Sequence, residues 1–387
     1  MATKRPEAGR YFPEEVIFKI LSWTKGTSLF RFKFVCKLWH SIIIDNKFIE
    51  SHHTNSLKNP SILLITNVEK KGYHNCSAAS LVYGSSGKGF VDLHLPSPFD
   101  GMEFVSSSNG IVCLYESNIG DDIYLLNPLT RMSKRLPIIF IRHAQPPYNP
   151  YYNSVQRKVY VAFGFDCVSH DFKVLKITYL LERDSRYMNL LSVYLYTLNA
   201  NSWREIEIDS TTLPKIGWFS SCPILVHGPI VDGVLHLKGI NKIVTFDLHT
   251  EIFGLIPFWR FMQESKLHDK SHVLEFKGSV AMIFESNGEG SIRKDTSLWT
   301  VEVVFGEVFW NKVLTFNTSW KIDWVFLYSS GQFVGQTDCG EVLLYDYRKK
   351  KETKYIGVSS ESLVRVFEHM ESFLSIEGLE YAEEKQL

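Results

Sequence analysis

Few residues in this 387-residue chain are spaced for bond-making. Gly84-Ser85-Ser86-Gly87-Lys88-Gly89 comes nearest to a phosphate-binding loop. That loop needs a longer span before its lysine, and a Ser or Thr after it to reach Mg2+. Here Gly89 follows Lys88, so a hairpin turn is the expected structure. The sequence has no Gly-x-Ser-x-Gly elbow and no His-Glu-x-x-His pair. Its 13 histidines are dispersed, and His52-His53 reads as a solvated pair in a polar linker. The six cysteines (Cys36, Cys76, Cys113, Cys167, Cys222 and Cys339) include no Cys-x-x-Cys pair. Closely paired ligands are the mark of a zinc site, so no metal is expected, and the thiols read as small hydrophobes in a reducing compartment. No catalytic residue and no cofactor is expected. The chemistry left to the chain is recognition by apolar and charged surfaces.

The elements that carry such surfaces fall into two regions. Residues 1–58 hold ten Lys or Arg and five Asp or Glu, a net +5, while the whole chain balances 42 basic against 42 acidic groups. Overall neutrality argues against a nucleic-acid partner. No stretch is long and apolar enough for a membrane span. The N-terminal Met1-Ala2-Thr3-Lys4-Arg5 leads into no apolar run, so an intracellular protein, cytoplasmic or nuclear, is expected.

From Pro13 to Phe48 the apolar period is helical. Pro13 suits a first helical position, and Glu14 and Glu15 follow at the positive helix end. Val16, Ile17, Ile20 and Leu21 form one stripe. Gly26 and Thr27-Ser28 read as a stop and a new cap. Leu29, Phe32 and Val35 form a second stripe, and Leu38, Trp39, Ile42 and Ile43 a third. Three helices this short make a core too small to bury all of their apolar surface, so a partner is expected to cover the rest, the alternative being a helical cap on the following domain. Residues 52–60 are polar, end in Pro60 and read as a linker.

Beyond residue 60 the period becomes that of strands, broken by Gly, Asn, Asp and Ser clusters. A strand, polar turn and return strand recur at Ile123–Arg131, Val193–Arg204, Ile243–Thr250 and Val342–Arg348, with a fainter copy from Ser297. Anchors at Leu198, Asp247, Trp299 and Asp346 are 49, 52 and 47 residues apart. That is the blade length of a kelch-like β-propeller, and about six blades are expected over residues 61–376, with a β-sandwich or two smaller β domains as the alternative. Val364, Val366, Phe367, Phe373, Leu374 and Ile376 are expected to close the ring on the first blade, leaving 377–387 as an acidic tail. The basic run Arg348-Lys349-Lys350-Lys351 reads as a hairpin tip.

The helical region contains Phe12-Pro13-Glu14-Glu15, then Ser28-Leu29-Phe30-Arg31-Phe32-Lys33-Phe34-Val35-Cys36-Lys37-Leu38-Trp39. It closely resembles the plant F-box over residues 10–51. Ser107-Ser108-Asn109-Gly110-Ile111, Asn127-Pro128-Leu129-Thr130-Arg131, Phe163-Gly164-Phe165-Asp166, Ser202-Trp203-Arg204 and His369-Met370-Glu371-Ser372-Phe373-Leu374 resemble the plant F-box-associated domain, a group that includes the pollen S-locus F-box proteins. The resemblance implies the substrate receptor of an SCF-type ubiquitin ligase. Its F-box would dock on a Skp-family adaptor, and through it on a cullin and RING subunit. It would hold a target protein near the conjugating enzyme and make no bonds itself. Carried over by position, the adaptor-binding residues are Phe12, Pro13, Ile17, Ile20, Leu21, Leu29, Phe32, Val35, Cys36 and Trp39. The net +5 suits an acidic adaptor by steering. Thr24-Lys25 stands where the family usually has a second Leu-Pro, and Lys19 replaces a common acidic residue; both bear on adaptor affinity rather than on fold.

For the target, the aromatic and proline-rich loop Arg142–Arg157, with Arg142, Tyr148, Tyr151 and Tyr152, is the first candidate, and Trp259-Arg260 the second. A pistil ribonuclease, or a defence, hormone or stress protein, is equally compatible as the target. Two readings of other classes stand beside this one. The first is a propeller scaffold or decoy that recruits no ligase, and the second a kelch-type copper oxidase, a class that is typically secreted.

Overall fold

The computed structural model describes residues 12–58, 61–68, 76–83, 89–93, 99, 102–116, 122–139, 156–181, 187–208, 216–217, 228–239, 242–258, 271–286, 294–318, 320–328, 332–337, 341–359, 363–373 and 380–381. Four helices come first: α1 (Glu14–Ser22), α2 (Gly26–Phe32), α3 (Lys37–Ile44) and α4 (Asn46–Lys58). Pro13 is extended at φ −55° and ψ 145°, and its carbonyl accepts the N–H groups of Val16 and Ile17. None of these helices is long and apolar enough to cross a membrane.

Two local expectations are corrected. Gly26 is not a stop but the first residue of α2. Residues 52–58 are not a linker; they are the second half of α4. That helix shows little apolar periodicity because it buries only Phe48 and His52, four residues apart on one stripe. Asp45 Oδ1 accepts the N–H groups of Lys47 and Phe48 and starts the helix. His52 is 3% exposed, and its Nε2 bonds the Thr24 carbonyl at 2.9 Å, so it is a core residue rather than a solvated one.

The strands form six antiparallel sheets. In chain order they are β1 (Ser61–Val68), β2 (Cys76–Tyr83) and β3 (Gly89–Asp92); β4 (Glu103–Ser108), β5 (Ile111–Tyr115), β6 (Ile123–Asn127) and β7 (Met132–Arg135); β8 (Gln156–Asp166), β9 (Asp171–Leu181), β10 (Tyr187–Thr197), β11 (Ser202–Glu205) and the short β12 (Ile216–Gly217). Then follow β13 (Ile230–Val231), β14 (Val234–Lys238), β15 (Lys242–Asp247) and β16 (Phe253–Pro257); β17 (Ser271–Phe276), β18 (Ser279–Ser286), β19 (Lys294–Val304) and β20 (Glu307–Thr318); β21 (Trp320–Tyr328), β22 (Gln332–Thr337), β23 (Glu341–Asp346) and β24 (Lys351–Ser359). β25 (Leu363–His369) pairs with β1 and completes the first sheet in the order β25-β1-β2-β3, as expected for closure by the C-terminal strand. β26 (Glu380–Tyr381) adds to the outer edge of the second sheet beside β7, so part of the expected acidic tail is a strand.

Neighbouring sheets touch through strands at or next to one edge of each: β25 with β4, β4 with β8, β14 (second in its sheet) with β17, β17 with β21, and β21 back to β25. The apolar clusters lie between sheets. Val105, Ile111 and Cys113 of the second meet Val161, Phe163 and Val174 of the third; Leu175, Val193 and Leu195 of the third meet Leu235, Val244 and Phe246 of the fourth. A sheet whose two faces are both apolar can bury them only between neighbours, and this forces a stacked arrangement.

The recurring turn has a common mechanism. Asn127, Asp166, Asp247 and Asp346 each accept, through Oδ1, the N–H groups two and three residues ahead. The residue four ahead (Arg131, His170, Glu251 and Lys350) takes φ between 50° and 61°. The tip at Arg348–Lys350 is such a turn, as expected. An ionic network joins the third and fourth sheets. Lys173 Nζ donates to Asp166 Oδ2 at 3.1 Å, Glu251 Oε1 at 3.0 Å and the Leu248 carbonyl, with Arg204 paired to Glu251. Burial alone would raise the Asp166 pKa, but Ser169, the Val168 N–H and Lys173 outweigh it and hold the carboxyl below its usual range.

Candidate functional site

The helices form a small core of Leu21, Leu29, Ile42, Ile43 and Phe48. Phe18 meets Phe48 edge-on at 5.3 Å, and Phe32 meets Trp39 at 5.1 Å. On α1, Ile17 and Leu21 stand four residues apart and turn inward. Val16 and Ile20, one residue earlier on the same spacing, turn outward.

The outward surface is apolar. Phe12, Val16, Ile20 and Trp23 are exposed along α1, Phe34, Val35 and Leu38 at the α2–α3 connection, and Ile44 at the end of α3. Phe34 is 80% exposed and Ile20 59%. A stretch of about 45 residues cannot leave so many large apolar groups in water without a cost that a protein partner would remove. Lys19, Lys25, Arg31 and Lys37 are exposed among them.

The residues named from the sequence divide accordingly. Phe12, Pro13, Ile20, Val35 and Cys36 are exposed, and Ile17, Phe32 and Trp39 are half-buried. Leu21 and Leu29, at 1% and 0% exposure, belong to the core and support the surface without forming it. Val16, Trp23, Phe34, Leu38 and Ile44 were not named as adaptor-binding, and Val16 and Leu38, read as members of apolar stripes, turn outward. Their signal was simple hydrophobicity at positions off the buried stripe. Of the target-binding candidates, Arg142, Tyr148, Tyr151, Tyr152, Trp259 and Arg260 all lie outside the described residues. So do residues 84–88 of the glycine-rich turn, flanked by the paired Tyr83 and Gly89. Among the described residues no group of three His, Cys, Asp or Glu is placed to hold a metal ion.

The opposite side of the helix core is closed by the β domain. Leu129, from the β6–β7 turn, and Phe373, four residues past β25, are each 6% exposed and belong to the same apolar cluster as Leu21 and Leu29. Phe373 was expected to close the ring; it packs instead edge-on to His52, with ring centroids 5.6 Å apart. Leu374 and Ile376 lie outside the described residues.

Strand direction fixes which face of the sheets the helices occupy. Within each antiparallel sheet, the turn after the first strand and the turn after the third lie on one face. Gly110 of the β4–β5 turn, Leu129 of the β6–β7 turn and the chain leaving β25 therefore share a face, and that face carries the helices. The ends of β7, β11 and β16, from which connections of 20, 10 and 13 residues depart, lie on the other.

A four-helix module seated on one face of a six-sheet β domain defines the class. The family described as F-box domain matches residues 11–51, and the F-box associated beta propeller domain matches residues 63–369. This chain belongs to the F-box proteins with an F-box-associated β-propeller. Similar Arabidopsis thaliana proteins include F-box protein At5g49610, 25% identical over 76% of this chain and 74% of its own length. F-box protein At3g07870 is 29% identical over 63% of this chain and 60% of its own length. A copper-bound fungal alcohol oxidase superposes with a TM-score of 0.43 and 10% identity over 79% of this chain and 66% of that one.

Proposed function

We propose that the chain is the substrate receptor of an SCF-type ubiquitin ligase, working in the cytoplasm or nucleus and making no bonds itself. The exposed apolar face of α1–α3 binds a Skp-family adaptor, which brings a cullin and its RING subunit. The propeller binds the target, and the gain is proximity: target lysines meet the ubiquitin thioester at raised effective concentration. The observation that carries this reading is the row from Phe12 through Trp23 to Phe34 and Val35, apolar, exposed and bordered by basic groups.

The target side is the face opposite the helices, where the connection containing Tyr148, Tyr151 and Tyr152 and the one containing Trp259 and Arg260 leave their strands. A target held there does not compete with the adaptor for space. The resemblance to the S-locus group supports a pistil ribonuclease as one specific target; a defence, hormone or stress protein fits the same arrangement. Co-expression with a recombinant Skp-family adaptor tests the central reading. A stoichiometric complex is expected on gel filtration, and a chain that elutes free of adaptor would instead be a scaffold. Binding of a purified pistil ribonuclease to the full chain tests the specific target.

A further inference from the structure

α2 begins without a cap of its own. Lys25 precedes it and supplies no side-chain hydrogen bond to the helix end. The bonds come from Glu371, distant in sequence: its Oε2 accepts the Gly26 N–H at 2.8 Å and its Oε1 the Thr27 N–H at 3.3 Å. Glu371 is 6% exposed. Phe373, two residues on, fills the helix core between His52 and Lys33, whose Nζ lies 4.8 Å from its ring centroid. Close approach is built in at Gly26, where a Cβ would stand 2.7 Å from Leu129 Cδ2 and 3.2 Å from Glu371 Cβ.

The segment making these contacts is itself fixed to the sheets. The Ser372 carbonyl accepts from Asn127 Nδ2 at 2.9 Å. Gly110, at φ +82°, lies so close that a Cβ there would fall 2.3 Å from Ser372 Cβ. Upstream, β25 is paired to β1, and Ser61 Oγ donates to the His369 carbonyl at 2.8 Å. β1 starts three residues after α4 ends. The helices are therefore held twice, by the chain running from α4 into β1 and by the segment after β25 packed on the start of α2, and those two strands are paired with each other.

We propose that Glu371 and Phe373 are positioning residues for the F-box: together they complete α2 and the helix core and hold the adaptor-binding face at a fixed angle to the propeller. The F-box is then part of the propeller's underside and does not swing on a linker. Ring closure and F-box seating are one event, because the same segment performs both. The latch stands on this geometry; its value to a ligase, a constant distance from target to conjugating enzyme, rests on the proposed function.

Spin labels on the exposed thiols Cys36 and Cys167, with Cys76, Cys222 and Cys339 replaced by serine, report the angle as a distance distribution in the full chain. A single narrow distance is expected. Phe373→Ala combined with Glu371→Gln should broaden it, and Phe373→Leu should largely restore it. Glu371→Gln alone, which keeps the side-chain shape, should speed exchange of the Gly26 and Thr27 amides by about tenfold while amides of β14–β18 are unchanged. A broad distribution in the unmodified chain, or a narrow one in the double variant, overturns the latch. Adaptor binding, measured separately with purified adaptor, tests the other reading. A narrow distance without adaptor binding sinks the receptor alone, and adaptor binding with a broad distance sinks the latch alone.

Discussion

Acid should weaken this fold through His369, the last residue of the ring-closing strand. The imidazole is 0% exposed, with Nδ1 2.8 Å from Ser107 Oγ, and burial lowers its pKa to about 4. An unfolded chain holds a histidine near about 6.5. Between those values the unfolded state binds the extra proton, so stability rises with pH across the window and falls on acidification. The separation of about 2.5 units is worth about 3 kcal/mol in full, of which about 2 kcal/mol is lost between pH 7 and pH 4.5. The assay is urea unfolding at both pH values for the native chain and for His369→Asn, which leaves a polar group near Nδ1. The variant should be less stable at pH 7 but should lose about 2 kcal/mol less than the native chain on going to pH 4.5. Carboxylates shared by both proteins cancel in that difference. Equal losses in the two proteins would refute the argument. His52, lowered by burial against the opposing pull of the Thr24 carbonyl and Glu371, contributes with the same sign.

Lys173→Met leaves Asp166 buried without its cation, while Glu251 keeps Arg204, and a loss of about 3 kcal/mol in urea unfolding is expected, with little change at the helices. Phe305 is fully exposed at φ 52° ahead of Gly306 at φ 83°, in the turn where β19 and β20 run past the end of β18 pairing; Phe305→Asn should stabilise by about 0.5–1 kcal/mol, read as a rise in Tm. Gly110→Ala has both a left-handed backbone and a collision with Ser372 against it, so a loss of about 2 kcal/mol or more is expected, with lost protection at Gly26 and Thr27 in hydrogen exchange.

What the sequence showed and what it hid differ by the range of the interaction. The first three helices were legible because Ile17 and Leu21, Leu29 and Phe32, and Trp39, Ile42 and Ile43 stand three or four residues apart within each helix. The propeller was legible because Asn127, Asp247 and Asp346 bond their own turns, so the signal recurs wherever the hairpin does. α4 was hidden because its buried stripe is only Phe48 and His52 in an otherwise polar run, and it reads as a linker. Gly26 was misread because its cap comes from Glu371, a contact spanning 345 residues that leaves no local trace. Phe373 misled for the same reason. Following β25, it continues a strand-like apolar pattern, yet its side chain is buried among helices. The proposed adaptor face was legible by resemblance for Ile20 and Val35, whereas Trp23 and Phe34 needed the burial pattern to separate outward from inward apolar groups.

The most direct test of the receptor account is the affinity of the full chain for a purified Skp-family adaptor, measured with and without Ile20→Asp and Val35→Asp. Both side chains are exposed, at 59% and 61%, so neither change should unfold the chain. Loss of two apolar anchors predicts affinity weakened by about 100-fold or more with Tm unchanged. Undiminished binding by the double variant would contradict the claim that this face is where the adaptor sits.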